Sequence, residues 1–207
     1  MKKYIILLTV FIILTSVIHA QENKHYTFSV MGSINFFQQK FSCPEEFPLP
    51  QHDPALAYSA GLGAEFRLFH RFFLEADVLY KVKTSELVEF SGLSWGDTYY
   101  RFQYIALPLL LNYRFPVSRF IIFPVLGMEI DFLLKSQVKD EKHNLVVKPV
   151  ENTRLFDLQV VSGLGVSFRR ISLAFRYAHG LMNLNTEEES DLVVKNRGFE
   201  FIVGFHF

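Results

Sequence analysis

Gly198-Phe199-Glu200-Phe201-Ile202-Val203-Gly204-Phe205-His206-Phe207 is the stretch whose reading decides the fold. Successive residues of a strand point to opposite faces. One face therefore receives Phe199, Phe201, Val203, Phe205 and Phe207, and the other Glu200, Ile202, Gly204 and His206. A strand this apolar on one side must be covered by other protein or by lipid. Alternation of apolar-out and polar-in residues is what transmembrane β-barrel strands show.

The same alternation recurs through the chain. It predicts eight strands: Tyr26–Phe36, Leu56–Leu68, Phe72 to about Thr84, Thr98–Phe115, Phe120 to about Ser136, Thr153–Phe168, Ile171 to about Leu181, and Gly198–Phe207. In the fourth, the near half from Tyr99 to Tyr104 is expected to run in the opposite phase to the far half. A bulge near Ala106 or Pro108 would reconcile the two. Loop chemistry is expected from Gln38 through Asp53-Pro54, from Ser85 to Asp97, from Lys139 to Asn152, and around the acidic run Thr186–Asp191. The turns at His70-Arg71, Pro116–Arg119 and Arg169-Arg170 are short. Connections thus alternate long and short, four against three, as they do in membrane barrels. Phe69, Phe72, Phe115, Phe120, Phe168 and Phe207 fall near the short turns. Tyr58, Tyr80, Tyr99 and Tyr100 fall nearer the long connections. Together they are expected to form two aromatic girdles.

Composition agrees with this class. The 207 residues are 50% hydrophobic and 16% aromatic, with 23 Phe and 9 Tyr, residue types that favour pleated surfaces and membrane interfaces. A formal net charge of zero offers no field for nucleic acid. The single Cys43 excludes an internal disulfide or a multi-Cys metal site. Met1-Lys2-Lys3, the apolar run Tyr4–Ile18 and Ile18-His19-Ala20 read as a signal peptide over residues 1–20, leaving residues 21–207 as one barrel domain. An uncleaved anchor helix is the alternative. No later stretch supplies the roughly 18 apolar residues a spanning helix needs.

A soluble eight-stranded calyx alternates with the same period but turns its apolar face inward. The polar face here carries Ser29, Ser33, Gly61, Gly63, Gly163, Gly165 and Gly204, which suit a crowded interior. It also carries charges of both signs: Glu65, Arg67, Glu75, Asp77, Lys81, Glu129, Asp131, Asp157, Arg176 and Glu200. These are expected to form a polar network in the lumen, since eight strands leave an interior just wide enough for side chains to fill. The apolar face is almost free of charge, and a charge there at mid-membrane costs roughly 2–4 kcal/mol. The fold expected is therefore all-β, an eight-stranded antiparallel up-and-down transmembrane β-barrel whose outer wall meets outer-membrane lipid.

Tyr104-Ile105-Ala106-Leu107-Pro108-Leu109-Leu110-Leu111-Asn112-Tyr113-Arg114-Phe115 resembles the PorT-like outer-membrane β-barrel family. An apolar-Pro-Leu-Leu segment followed by a polar or basic residue and Tyr marks that family's fourth strand. Ala20-Gln21, the Gly-rich Ser162–Gly165 and the terminal Phe207 fit it too. The resemblance implies an eight-stranded barrel in the outer membrane of a Gram-negative bacterium, and the alternation of long and short connections puts both termini on the periplasmic side. It also implies recognition of the strand ending at Phe207 by the barrel-assembly machinery. It transfers no catalytic residue, and some family members assist secretion or gliding.

Three functional classes follow. The first is a structural or interaction protein, accessory to secretion or envelope assembly, with Trp95, Tyr99 and Tyr100 as contacts for a protein partner at the outer loops. The second is a narrow pore or small-molecule binder using the charged lumen. The third is a barrel enzyme using His52-Asp53, His143 or His179, with Asp53 or Asp97 beside His179. The histidines share no spacing that demands catalysis, and Glu187–Asp191 reads as a solvated tip rather than a cation site. No catalytic residue, metal or cofactor is expected, and the first class is favoured.

Overall fold

The computed structural model describes residues 26–42, 51–90, 93–140, 145–147, 153–186 and 192–207. The strands are β1 (Tyr26–Ser42), β2 (Gln51–Phe69), β3 (Phe72–Phe90), β4 (Leu93–Tyr113), β5 (Phe115–Val117), β6 (Phe120–Asp140), β7 (Leu145–Val147), β8 (Phe156–Phe168), β9 (Ile171–Gly180) and β10 (Val193–His206). Eight of them make a closed wall. Sequence neighbours pair antiparallel from β1 to β4, β4 pairs β6, β6 pairs β8, then β9 and β10 follow, and β10 returns to β1. β5 resumes β4 after Arg114 and pairs with the start of β6, while β7 pairs with its far end. Closure leaves no free sheet edge along the wall, which is the condition for a sheet to sit in hydrocarbon.

The alternation sets what faces where. Phe199, Phe201 and Phe205 are 46%, 53% and 42% exposed on the outside, whereas Glu200 is 2% exposed in the interior. A soluble calyx would show the reverse. On β6 the outward row runs Phe120, Ile122, Pro124, Leu126, Met128, Ile130 and Phe132. That is about 40 Å of strand and, at a tilt near 40°, about 30 Å of height, sufficient for an apolar band roughly 25 Å tall plus its aromatic edges.

The three tight turns lie at one end. His70, Ser118 and Arg169, each the first residue of its turn, have positive φ (45°, 55° and 54°), the geometry that lets two residues reverse a right-twisted strand pair. The start of β1 and the end of β10 lie there as well: Phe207 N donates to Phe28 O at 2.9 Å and His206 N to Arg170 O at 2.7 Å. Aromatic rings collect just inside this end, with Phe69–Phe72, Phe72–Tyr113 and Tyr113–Phe115 centroids 4.8, 4.7 and 4.6 Å apart. The turn arginines Arg71, Arg119, Arg169 and Arg170 are exposed beyond them.

Several sequence expectations are corrected. Gln38 to Lys40, expected as loop, continue β1 and pair with Arg197 to Lys195 of β10. Asp53-Pro54 lies in β2. The long connection expected from Ser85 to Asp97 is largely strand: β3 runs to Phe90, β4 starts at Leu93, and the two pair up to Phe90↔Leu93. Polar composition signals here that the strands have left the hydrocarbon, not that they have ended. The expected phase change in β4 is absent. Phe102, Tyr104, Ala106, Pro108, Leu110 and Asn112 are all buried on one inward face. The irregularity sits instead on β6, where Gln103↔Lys135 is followed by Tyr104↔Leu133. Residues 1–25, Cys43, His143 and Glu187–Asp191 lie outside the described residues, as do the side chains of His52, Trp95 and Asp97.

Candidate functional site: a filled, charged lumen

Inward-facing residues of the eight strands converge on the barrel axis, so parity decides membership of the lumen. Its polar members form a repeated unit in which one buried cation faces two carboxylates. Lys81 Nζ lies 2.7 Å from both oxygens of Glu129 and 2.5 Å from Glu200 Oε1. Lys83 Nζ lies 2.5 Å from Asp131 Oδ2 and 3.7 Å from Asp157 Oδ2. Arg176 donates to Glu75 Oε1 at 2.5 Å and stands 3.6 Å from Asp77 Oδ2. Amides supply the donors that one cation per two acids leaves short. Asn112 Nδ2 donates to Glu75 at 2.7 Å, Gln159 Nε2 to Asp131 and Asp157 at 2.5 and 2.9 Å, and Asn196 Nδ2 to Asp157 at 2.9 Å. Pairing offsets the cost of burying these charges, although both Asp77 oxygens and one oxygen each of Asp131 and Asp157 find no hydrogen-bond partner among the described residues.

At the short-turn end Arg114 pairs with Glu65 and its guanidinium lies 3.9 Å from the centre of the Phe73 ring. His206 Nε2 lies 2.9 Å from Ser172 Oγ, and its Nδ1 lies 3.8 Å from Glu65 Oε2. This hydroxyl, imidazole and carboxylate tie the end of β10 to β9 and β2. Glu65 is already engaged by Arg114 and, at 3.4 Å, by Asn112. Apolar side chains fill the remaining lumen: Phe37, Leu110, Phe123, Val125, Val161 and Ala178 form one cluster, and Met31, Leu79, Ala106 and Ile202 another. Lys83 Nζ sits 4.7 Å from the Phe37 ring centre and 5.0 Å from that of Tyr104, distances at which ring faces attract a cation.

Nine of the ten charged residues expected in the lumen are buried there: Glu65, Glu75, Asp77, Lys81, Glu129, Asp131, Asp157, Arg176 and Glu200. Arg67 is the exception. It pairs with Phe73 in the same register as Glu65 with Glu75, but at the end of β2 it is exposed beside the first tight turn, and its Nε donates to His70 O at 3.1 Å. The expected set left out two further charges, Lys83 and Arg114, and the amides Asn112, Gln159 and Asn196. All share inward parity with the acids, so parity was the available signal. Tyr99 and Tyr100 lie on β4 rather than on a loop, with Tyr100 paired to the buried Ser85. His179 is exposed, 3.4 Å through Nδ1 from Tyr177 OH. Among the described residues no group of three His, Cys, Asp or Glu side chains is arranged to hold a metal.

Two solved structures are similar in fold. A major outer membrane protein from Thermus thermophilus shares 13% identity, with a TM-score of 0.50 over 88% of this chain and 99% of that one. Neisserial surface protein A shares 13% identity, with a TM-score of 0.48 over 87% of this chain and 97% of that one. No curated protein matches the chain. Residues 19–185 match the family model described as an outer membrane protein beta-barrel domain. The chain, whose fold is a closed eight-stranded antiparallel barrel with an apolar outer wall, belongs to this family of bacterial outer-membrane β-barrels.

Proposed function

We propose that the protein is a non-catalytic structural or interaction component of the outer membrane, accessory to secretion or envelope assembly, with its long-connection end presented to a partner. The observation that carries this reading is where material is spent. The lumen is given over to interlocked ion pairs and packed apolar side chains, while β3, β4 and β6 continue past the apolar belt as a paired plate reaching Phe90↔Leu93 and Thr98↔Asp140. Trp95, Tyr99 and Tyr100 belong to the strand that forms the middle of this plate. Aromatic residues dominate contact surfaces. The Tyr104–Phe115 motif supports the PorT-like branch of the family. The short-turn end is read as periplasmic, with residues 1–20 as signal peptide and the strand ending at Phe207 as the segment read by the assembly machinery.

The test replaces residues 88–97 with an Asn-Gly turn and follows the protein in cells. Retained heat-modifiable mobility with loss of a site-specific crosslink from position 99 to its partner supports the reading. An unchanged crosslink, or reproducible single-channel steps from the wild type in planar bilayers, contradicts it.

A further inference from the structure

The outer wall ends differently at its two rims. At the long-connection rim the apolar cross-strand row Tyr80–Ile105–Phe132 gives way to Gln103–Lys135 and Arg101–Gln137, while the strands continue. Glu86, paired with Tyr99, shares this outward face with Arg101 and Lys135, so charges of both signs follow the hydrocarbon edge. The short-turn rim carries one sign. Among the described residues, the exposed Lys, Arg, Asp and Glu side chains there are all arginine: Arg67, Arg71, Arg119, Arg169 and Arg170. Glu65, the nearest acid, is buried and taken by Arg114, which leaves the five without a carboxylate partner among the described residues.

These guanidinium groups stand at a fixed depth. Arg71, Arg119 and Arg169 each adjoin a phenylalanine at this rim, Phe72, Phe120 and Phe168. Phe120 and Phe168 are in contact, with ring centres 5.2 Å apart. One residue of tilted strand adds only about 2.5 Å of height. The head-group zone on each side of a bilayer is roughly 5–7 Å thick. Turns of two residues therefore end inside that zone. Two of the five arginines are also held in place: Arg169 lies 5.3 Å from the centre of the Phe168 ring, and Arg67 Nε donates to His70 O at 3.1 Å. The turns are spread around the circumference, joining β2 to β3, β5 to β6 and β8 to β9.

We propose that this rim binds anionic phospholipid, with the phosphates of head groups of net negative charge seated on Arg71, Arg119, Arg169 and Arg170 around the barrel. A guanidinium matches phosphate geometry in two-pronged fashion. Basic residues beside a bilayer attract anionic lipid over about a Debye length. A zwitterionic head group adds an ammonium that the same arginines repel, so net charge is what the rim selects. Depth and spread favour lipid over a protein partner, because none of the three turns rises clear of the head groups to meet one. With the short-turn end read as periplasmic, as above, the lipid belongs to the periplasmic leaflet; the preference for anionic lipid does not rest on that reading.

The test is electron spin resonance of the protein folded into phosphatidylcholine vesicles at low salt, with a trace of acyl-chain spin-labelled phosphatidylglycerol, phosphatidylethanolamine or phosphatidylcholine. The motionally restricted component measures lipid held at the protein. The wild type is expected to hold the phosphatidylglycerol label about three- to fivefold better than the other two. Arg71→Gln, Arg119→Gln, Arg169→Gln and Arg170→Gln combined are expected to abolish that preference. The pairs Arg71→Gln with Arg119→Gln and Arg169→Gln with Arg170→Gln should each remove about half of it, which keeps the test decisive where the fourfold variant fails to fold. Arg101→Gln with Lys135→Gln at the opposite rim should keep it. Each variant is admitted only if it shows the heat-dependent gel shift of a folded barrel. Equal association of the three labels with the wild type, or an undiminished preference in the turn variants, overturns the proposal. Vesicles offer the same lipid to both rims, so these results hold whichever rim faces the periplasm. Labelling of a cysteine at position 118 in intact cells, in a Cys43→Ser background, by a maleimide that cannot cross the outer membrane overturns the leaflet alone.

Discussion

Lys81 Nζ stands 2.7 Å from each carboxylate oxygen of Glu129, across the lumen from β3 to β6, with both side chains almost fully buried. This pair and Glu200 brace three strands that are not all neighbours in the wall. Removing the cation strands two carboxylates in a medium that cannot solvate them. Lys81→Met is therefore expected to destabilise the barrel by about 3–5 kcal/mol. Adding Glu129→Gln to that variant should recover part of the loss. Urea titration of the folded form in lipid vesicles checks both, and a single variant as stable as wild type would remove the network as a stabilising element.

Depth on the outer wall should be measurable by substitution. Leu126, at the middle of the outward row of β6, is 61% exposed to the surroundings of the barrel. Leu126→Arg is expected to cost about 2–4 kcal/mol in vesicle folding. Lys135→Gln, one row beyond the apolar edge, should change stability by no more than about 0.5 kcal/mol. Equal effects at the two positions would contradict the placement of the hydrocarbon edge between Phe132 and Lys135.

The second tight turn is a conformational test of the hairpins. Ser118 has φ of 55°, which costs a residue with a Cβ roughly 1–2 kcal/mol. Ser118→Gly relieves that cost but enlarges the freedom of the unfolded chain, so its net effect should stay within about 1 kcal/mol. Ser118→Pro fixes φ near roughly −65° and should prevent the turn. Folding yield into vesicles, scored by gel mobility, separates the two.

Lumen volume is equally specific. Gly165 faces Phe123 across the β8–β6 ladder, and a Cβ on Gly165 would strike the Phe123 ring. Gly165→Ala is expected to destabilise by about 1–3 kcal/mol through overpacking. Phe123→Leu should offset part of that loss, which a double-mutant cycle reads as a non-zero coupling.

Much of this architecture is legible in the alternation alone. Phe199, Phe201 and Phe205 announce an apolar exterior because period two leaves them no other face. Glu65 and Glu200 announce a polar interior for the same reason. What misleads is the assumption that polar residues end strands. Gln38 to Lys40 and most of Ser85 to Phe90 remain paired because neighbouring strands satisfy their backbones whatever their side chains carry. The reversed phase expected for Tyr99 to Tyr104 fails for a related reason. Above the apolar edge Arg101 and Gln103 belong outside, and the lumen needs the bulk of Phe102 and Tyr104, which are 2% and 0% exposed. The pairing of each buried cation with two carboxylates is a product of register, which joins residues such as Lys83 and Asp131, 48 positions apart, and no local spacing reveals it.

The claim that hydrocarbon covers the outer wall is tested most directly by spin labels placed singly at Val78, Leu109, Leu126 and Val203, in a Cys43→Ser background, on protein folded into lipid vesicles. The account predicts that all four labels collide readily with dissolved oxygen and poorly with a water-soluble nickel chelate, whereas a label at Lys135 shows the opposite preference. Ready collision of the chelate with the four belt positions would contradict it.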